Sequence, residues 1–143
     1  MPSAFVSLAG LDREAQIDLV WAAIELGLAR LRLKSRGVRS LAAGTGPVMG
    51  KLDRRQELFV GRVAFAIPRV AVRVPWRADC LVQAMAAKRW LARRDISSEL
   101  VLGARTANSL HLEAHAWLRV GETIVTGGDI TSYSPFSEMA PLS

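Results

Sequence analysis

The chain has 143 residues, half of them apolar and 22% charged, which suits a single domain with a core of its own. One cysteine excludes an internal disulfide framework and points to a reducing compartment, with the cytoplasm as the default. The net charge of +6 would suit nucleic acid or an acidic peptide, yet the basic residues are scattered from Arg13 to Arg119, with no zinc-ligand spacing, phosphate-binding glycine loop or RNA-recognition signature; no nucleic-acid partner, metal or cofactor is implied.

No secretory signal is evident, since Asp12, Glu14 and Asp18 replace the basic flank such a signal needs. The most apolar window, Leu19 to Ala29, carries Glu25 and falls short of the roughly 20 residues a membrane span requires. After a leader of ten residues, Leu11 to about Leu33 reads as a helix. Ile17, Val20, Trp21, Ile24, Leu28 and Leu31 recur at helical spacing, a stripe expected to be covered by the core. Gly37 ends the helix, and Ser40 to Gly50 is a glycine-rich loop. A second helix starts at Asp53, with Gln56 in capping-box spacing, and Pro68 is expected to break or kink it. Val70, Val72 and Val74 alternate with other residues and leave strand as one option there.

Pro75 and Asp79 are start signals for a third helix, Leu81 to Arg94, rich in alanine and free of glycine. Cys80 stands in its first turn, where the positive end of the macrodipole favours a thiolate. Glu99 to Arg105 reads as a strand and Thr106 to Ser109 as a turn. Leu110 to Val120 then alternates: Leu112, Ala114, Ala116 and Leu118 fall on one face, and His111, Glu113, His115, Trp117 and Arg119 on the other. Both histidines of the chain therefore share one side of one strand. A turn at Gly121-Glu122 leads to Thr123 to Thr126, and Gly127-Gly128 introduces Asp129. The tail from Thr131 reads as a loop with Phe136 inward.

A helical cysteine, a strand histidine and an acid further on are the parts of a nucleophilic site. The thiolate attacks a carbonyl, the imidazole carries the proton, and the carboxylate fixes its tautomer. His115, with room left by Ala114 and Ala116, is the better base, with His111 as its rival; Glu113 competes with Asp129 as the acid. Pairing Val120 with Ile124 across a three-residue loop would set His115 opposite Asp129. A two-residue loop turns Asp129 to the wrong face unless a bulge intervenes, for which Gly127-Gly128 is suited. Trp76 and Trp117 are candidate cleft walls.

Val74-Pro75-Trp76, Cys80-Leu81 with Ala84, Leu100 to Arg105, Glu113-Ala114-His115-Ala116-Trp117-Leu118 and Gly127-Gly128 together resemble the lasso-peptide leader peptidases, the transglutaminase-like B proteins of lasso-peptide biosynthesis. The resemblance runs from about Asp53 to Phe136. It implies an α+β fold of the transglutaminase-like and papain-like kind: N-terminal helices, the catalytic cysteine at the N-terminus of a helix, and that helix packed on an antiparallel sheet. Residues 1–50 would be a helical extension and residues 51–143 the peptidase core. The nucleophile falls on Cys80, the base on His115 and the acid on Asp129; Trp76, Gln83, His111, Glu113 and Trp117 are candidates for substrate contact. Gln83 replaces an arginine common in the family, and Asp95 a common glycine.

The implied reaction is cysteine-protease removal of the leader from a ribosomally made lasso precursor. A separate leader-binding protein would supply recognition, and a separate ATP-dependent, asparagine-synthetase-like lasso cyclase would take the freed core. Two other readings stand beside it: acyl transfer to an amine on the same fold, and a non-catalytic basic module that binds peptide or nucleic acid.

Overall fold

The computed structural model describes residues 13–36, 51–76, 78–108 and 111–136. In chain order the elements are α1 (Arg13–Arg36), α2 (Arg54–Ala71), α3 (Cys80–Ala92), β1 (Glu99–Asn108), β2 (His111–Val120), β3 (Thr123–Thr126) and β4 (Ser134–Pro135). The strands form one antiparallel sheet in the order β3-β2-β1-β4, and the helices pack together over it. This is the expected α+β architecture. The cap region before α1, Gly37 and the loop 40–50 lie outside the described residues.

α2 begins where the sequence places it. The Asp53 carboxylate accepts from the Gln56 amide at 2.8 Å, and the Gln56 side chain accepts from the Asp53 amide at 3.0 Å, so two orphan donors are satisfied reciprocally. Pro68 does not end the helix, which continues to Ala71. Ile67, Val70 and Ala71 are buried around it, and Arg69 Nη1 donates to the Phe65 carbonyl at 2.8 Å, so the last turn is held by packing and by a side chain. Val72 to Trp76 form turns and bends, not a strand.

α1 corrects the reading of its faces. Leu19, Ala22, Leu26 and Ala29 are buried with the core of α2 and α3, whereas Ile17, Val20, Trp21, Ile24 and Leu31 are exposed. Two carboxylates point inward instead. Asp18 is bound by the fork of Arg62 at 2.7 and 2.8 Å, and Arg62 also reaches Glu14 at 3.0 Å. Glu25 is fully buried, with Arg93 Nε 2.8 Å and Arg89 Nε 3.8 Å away. The helix buries small and branched apolar residues where close approach is needed, and buried charges are tolerated there because each has a guanidinium partner.

The remaining core lies between the helices and one face of the sheet, where Leu100, Ala116, Leu118, Val120 and Val125 meet Val82, Ala86, Trp90 and Leu91. Phe59 of α2 meets Trp90 edge to face at 5.8 Å. β1 runs three residues past the expected Arg105, because its register with β2 continues from Glu99↔Arg119 to Asn108↔His111 with one irregularity. The tail also contributes: Ser134 and Pro135 pair with Ala104 and Gly103, which leaves Phe136 exposed rather than inward. Among the described residues no helix is long and apolar enough to cross a membrane.

Candidate active site

Asp79 caps α3: its carboxylate accepts from the Val82 amide at 3.2 Å with extended backbone at the cap. Cys80 is consequently the first helical residue, partly exposed and free of any disulfide. The leading amides of a helix have no partner within it, so those of Cys80 and Leu81 form a positively polarised end beside the sulfur.

That sulfur borders a cleft of about 410 Å³ lined by Ala64 and Pro68 of α2, Gln83 of α3, His115 of β2, and the run Ile124 to Gly128. Cys80 and His115, about 35 residues apart in the chain, thus share one cavity. No hydrogen bond joins them: His115 shares the face of β2 with Trp117, away from the helices, and borders the cavity from beside Gly127. Catalytic pairs without substrate are commonly looser than in the bound complex. Gln83 Nε2 donates to the Ala78 carbonyl at 3.0 Å, which ties the cleft wall to the segment that leads into α3.

The imidazole is held from the β3 side. Its Nε2 lies 2.7 Å from the carbonyl oxygen of Gly127. A carbonyl can only accept, so Nε2 carries the proton, and in the neutral ring Nδ1 is the free base. Tyr133 stacks on the ring at 4.6 Å between centroids, and Trp117 lies 6.0 Å away. The ring is thus fixed by a donor bond at one edge and an aromatic face.

The strand register explains why a carbonyl, and not Asp129, occupies this place. Val120 pairs with Thr123 and Arg119 with Ile124 around a two-residue loop; Leu118 then pairs with Thr126, so Val125 is the extra residue of a bulge. The bulge restores the register that would carry His115 toward Asp129, but it falls before the glycine pair, and β3 stops at Thr126. Gly127 and Gly128 turn the chain at φ +110° and +66°. Asp129 is exposed, and its carboxylate accepts from the Thr131 amide at 3.0 Å and the Thr131 hydroxyl at 2.8 Å. Those two donors hold its pKa below the ordinary carboxylate value. The structure therefore does not bring Asp129 onto His115.

Of the other candidates, only Gln83 reaches the cleft. Trp76 packs on α1, where a Cβ on Gly27 would stand 3.4 Å from its ring. Trp117 is fully buried on the sheet face opposite the helices, over Gly103, where a Cβ would come within 2.7 Å of its ring. His111 is exposed at the start of β2, and Glu113 is exposed and paired with Arg105 at 2.6 Å. Two cleft residues had no signal in the sequence. Pro68 lines the cavity from α2, and Thr126 is buried with its hydroxyl unpartnered.

No curated protein and no solved structure matches the chain. A family model does: it covers residues 22–140, from within α1 past the last described strand, and so takes in the helix that carries Cys80, the strand that carries His115 and the glycine turn between them and Asp129. By that match the chain belongs to the transglutaminase-like superfamily.

Proposed function

We propose that the protein is a cysteine peptidase that removes the leader from a lasso-peptide precursor. The superfamily includes cysteine proteases and acyl transferases. The observation that carries the peptidase reading is the cleft shared by Cys80 and His115, with the tautomer of the imidazole set by the Gly127 carbonyl.

In this mechanism the cleft closes at its Gly127 edge to bring the His115 ring to the sulfur, and Nδ1 takes the Cys80 proton as the sulfur attacks the last leader carbonyl, forming the S–C bond. The negative oxygen is met by the Cys80 amide at the tip of α3, where donors are already oriented. Collapse breaks the peptide C–N bond, and the imidazolium gives its proton to the leaving amine of the core peptide. The same ring then takes a proton from water as it attacks the thioester, which returns the thiol and frees the leader acid. Asp129, the acid expected from the resemblance, acts here by bracing the turn that presents the Gly127 carbonyl, through its bonds to Thr131. Leader recognition comes from a separate binding protein, and the lasso cyclase consumes the product.

The test is a cleavage assay with a lasso precursor and its leader-binding protein, read by mass spectrometry. Wild type should release free leader and core; Cys80→Ala and His115→Ala should release neither while melting at the wild-type temperature. A product in which the leader acyl group sits on an added amine would instead make the protein an acyl transferase. Full cleavage by Cys80→Ala would falsify the nucleophile.

A further inference from the structure

The outward face of α1 is a surface the proposed chemistry leaves unused. Ile17, Val20, Trp21, Ile24 and Leu31 are 54, 61, 42, 46 and 64% exposed. Scattered exposed apolar residues are ordinary, but these form one continuous stripe on one helix, running roughly 20 Å at 1.5 Å per residue. Ile17, Ile24 and Leu31 recur every seven residues, with Val20, Trp21 and Leu28 between them. That spacing is the seam of a helix that packs along another helix.

The charge around the stripe selects the occupant. Arg13 borders it at the start of α1, in a shallow depression shared with Gln16, Ile17, Val20 and Trp21. Arg93 places its guanidinium 5.9 Å from the Trp21 ring, and Lys34 follows at the far end. Of the carboxylates of the same helix, Glu25 pairs with Arg93 while Asp18 and Glu14 are taken by Arg62, so among the described residues none of them balances Arg13 or Lys34 at the two ends of the stripe. A second copy of the chain fits poorly. Paired parallel, it would set Arg13 against Arg13; paired antiparallel, it would set Arg13 against Lys34. Like charges at both ends of the seam disfavour either arrangement.

We propose that this face docks an acidic amphipathic helix of a partner protein, with apolar residues at seam spacing and glutamate or aspartate at the edges. The inference does not rest on the cysteine assignment, and binding should be the same for Cys80→Ala.

The test uses the full chain and two labelled synthetic peptides of identical heptad seam, one with glutamate and one with lysine at the flanking positions, read by fluorescence anisotropy. The glutamate peptide should bind at least ten-fold more tightly, with the difference shrinking as salt is raised. Ile17→Ser and Ile24→Ser should each weaken binding ten-fold or more, at unchanged helical circular dichroism because both side chains are exposed. Val72→Ser, an exposed apolar change elsewhere, should do nothing. Equal affinity for the two peptides, or no binding, overturns the proposal. So does sedimentation as a dimer that Ile24→Ser dissociates, which would make the occupant a second copy. Shielding of Trp21 from acrylamide in the chain alone would mean that its own residues cover the face, and would overturn it as well.

Discussion

The imidazole of His115 donates from Nε2 to the main-chain carbonyl of Gly127 at 2.7 Å, while Asp129, two residues on, faces Thr131. A backbone carbonyl orients the ring as a carboxylate would, though without a full negative charge to stabilise the imidazolium. The role left to Asp129 is to hold the turn. Asp129→Asn, whose amide oxygen still accepts from the Thr131 amide, should keep kcat/KM within about three-fold of wild type. Asp129→Ala removes the acceptor and should cost about ten-fold, well short of His115→Ala. If Asn and Ala lose equally and as much as His115→Ala, the carboxylate charge itself acts on the ring.

Gly127 makes this geometry possible. Its φ of +110° is one that other residues rarely adopt, and a Cβ there would stand 2.4 Å from the Cβ of Trp117, which is fully buried and unable to retreat. Gly127→Ala should destabilise the fold by about 2 kcal/mol or more, from backbone strain and overpacking together. Urea denaturation measures the first effect. Cleavage should fall further than stability alone explains, because the carbonyl that holds His115 moves with the residue. Gly128→Ala, with open space around its Cβ position at φ +66°, should cost less.

Asp95 gives the stabilising counterpart. It is the non-glycine residue with positive φ among the described residues, at +57°, two residues past the Arg93 cap of α3. Its amide reaches the Ala92 carbonyl at 3.0 Å and that of Ile96 the Leu91 carbonyl at 3.1 Å, so the left-handed residue is what lets the chain close the helix end. Glycine would adopt this conformation without the steric cost a side chain brings. Asp95→Gly should raise stability by about 0.5 to 1 kcal/mol, the strain relieved less the added freedom of the unfolded chain. A thermal melt that falls instead would mean that the Asp95 side chain contributes more than its backbone costs.

Much of the fold was legible because local chemistry and tertiary structure agree: the Asp53–Gln56 capping box, the Asp79 cap before Cys80 and the strand β2 appear where the residues put them, although β2 does not alternate in burial, with Leu112 and Ala114 exposed and residues 116–118 buried in succession. The face of α1 was not. Two apolar stripes share that helix, and the one with the larger residues is the exposed one, because close helix packing favours Ala22 and Ala29 and the arginines of α2 and α3 neutralise Asp18 and Glu25. No periodicity reveals where an arginine on another helix will stand. The same holds for the bulge at Val125, which shifts the register without a glycine to announce it, and for Ser134–Pro135, whose pairing is set by the edge of β1. The elements that carry Cys80 and His115 were readable because each has a clear pattern; Asp129 follows a turn whose direction two glycines leave open.

Glu25 tests the electrostatics of that inverted helix. Burial raises its pKa from 4.5, and the nearby Arg93 and Arg32 charges only partly oppose this. Neither carboxylate oxygen gains a well-directed hydrogen bond, although Arg93 Nε is 2.8 Å away. With the folded pKa above the unfolded one, the folded state holds the extra proton between the two values, so stability falls as pH rises through that window and levels off above it. Glu25→Gln removes the titration while preserving shape, and Arg93, half-exposed, stays solvated. Urea denaturation from pH 4 to 8 should show wild type losing stability relative to Glu25→Gln as pH rises. A wild type that gains on the variant over the same range would mean that the Arg93 ion pair outweighs desolvation, and that the charge of Glu25 holds α1 in place.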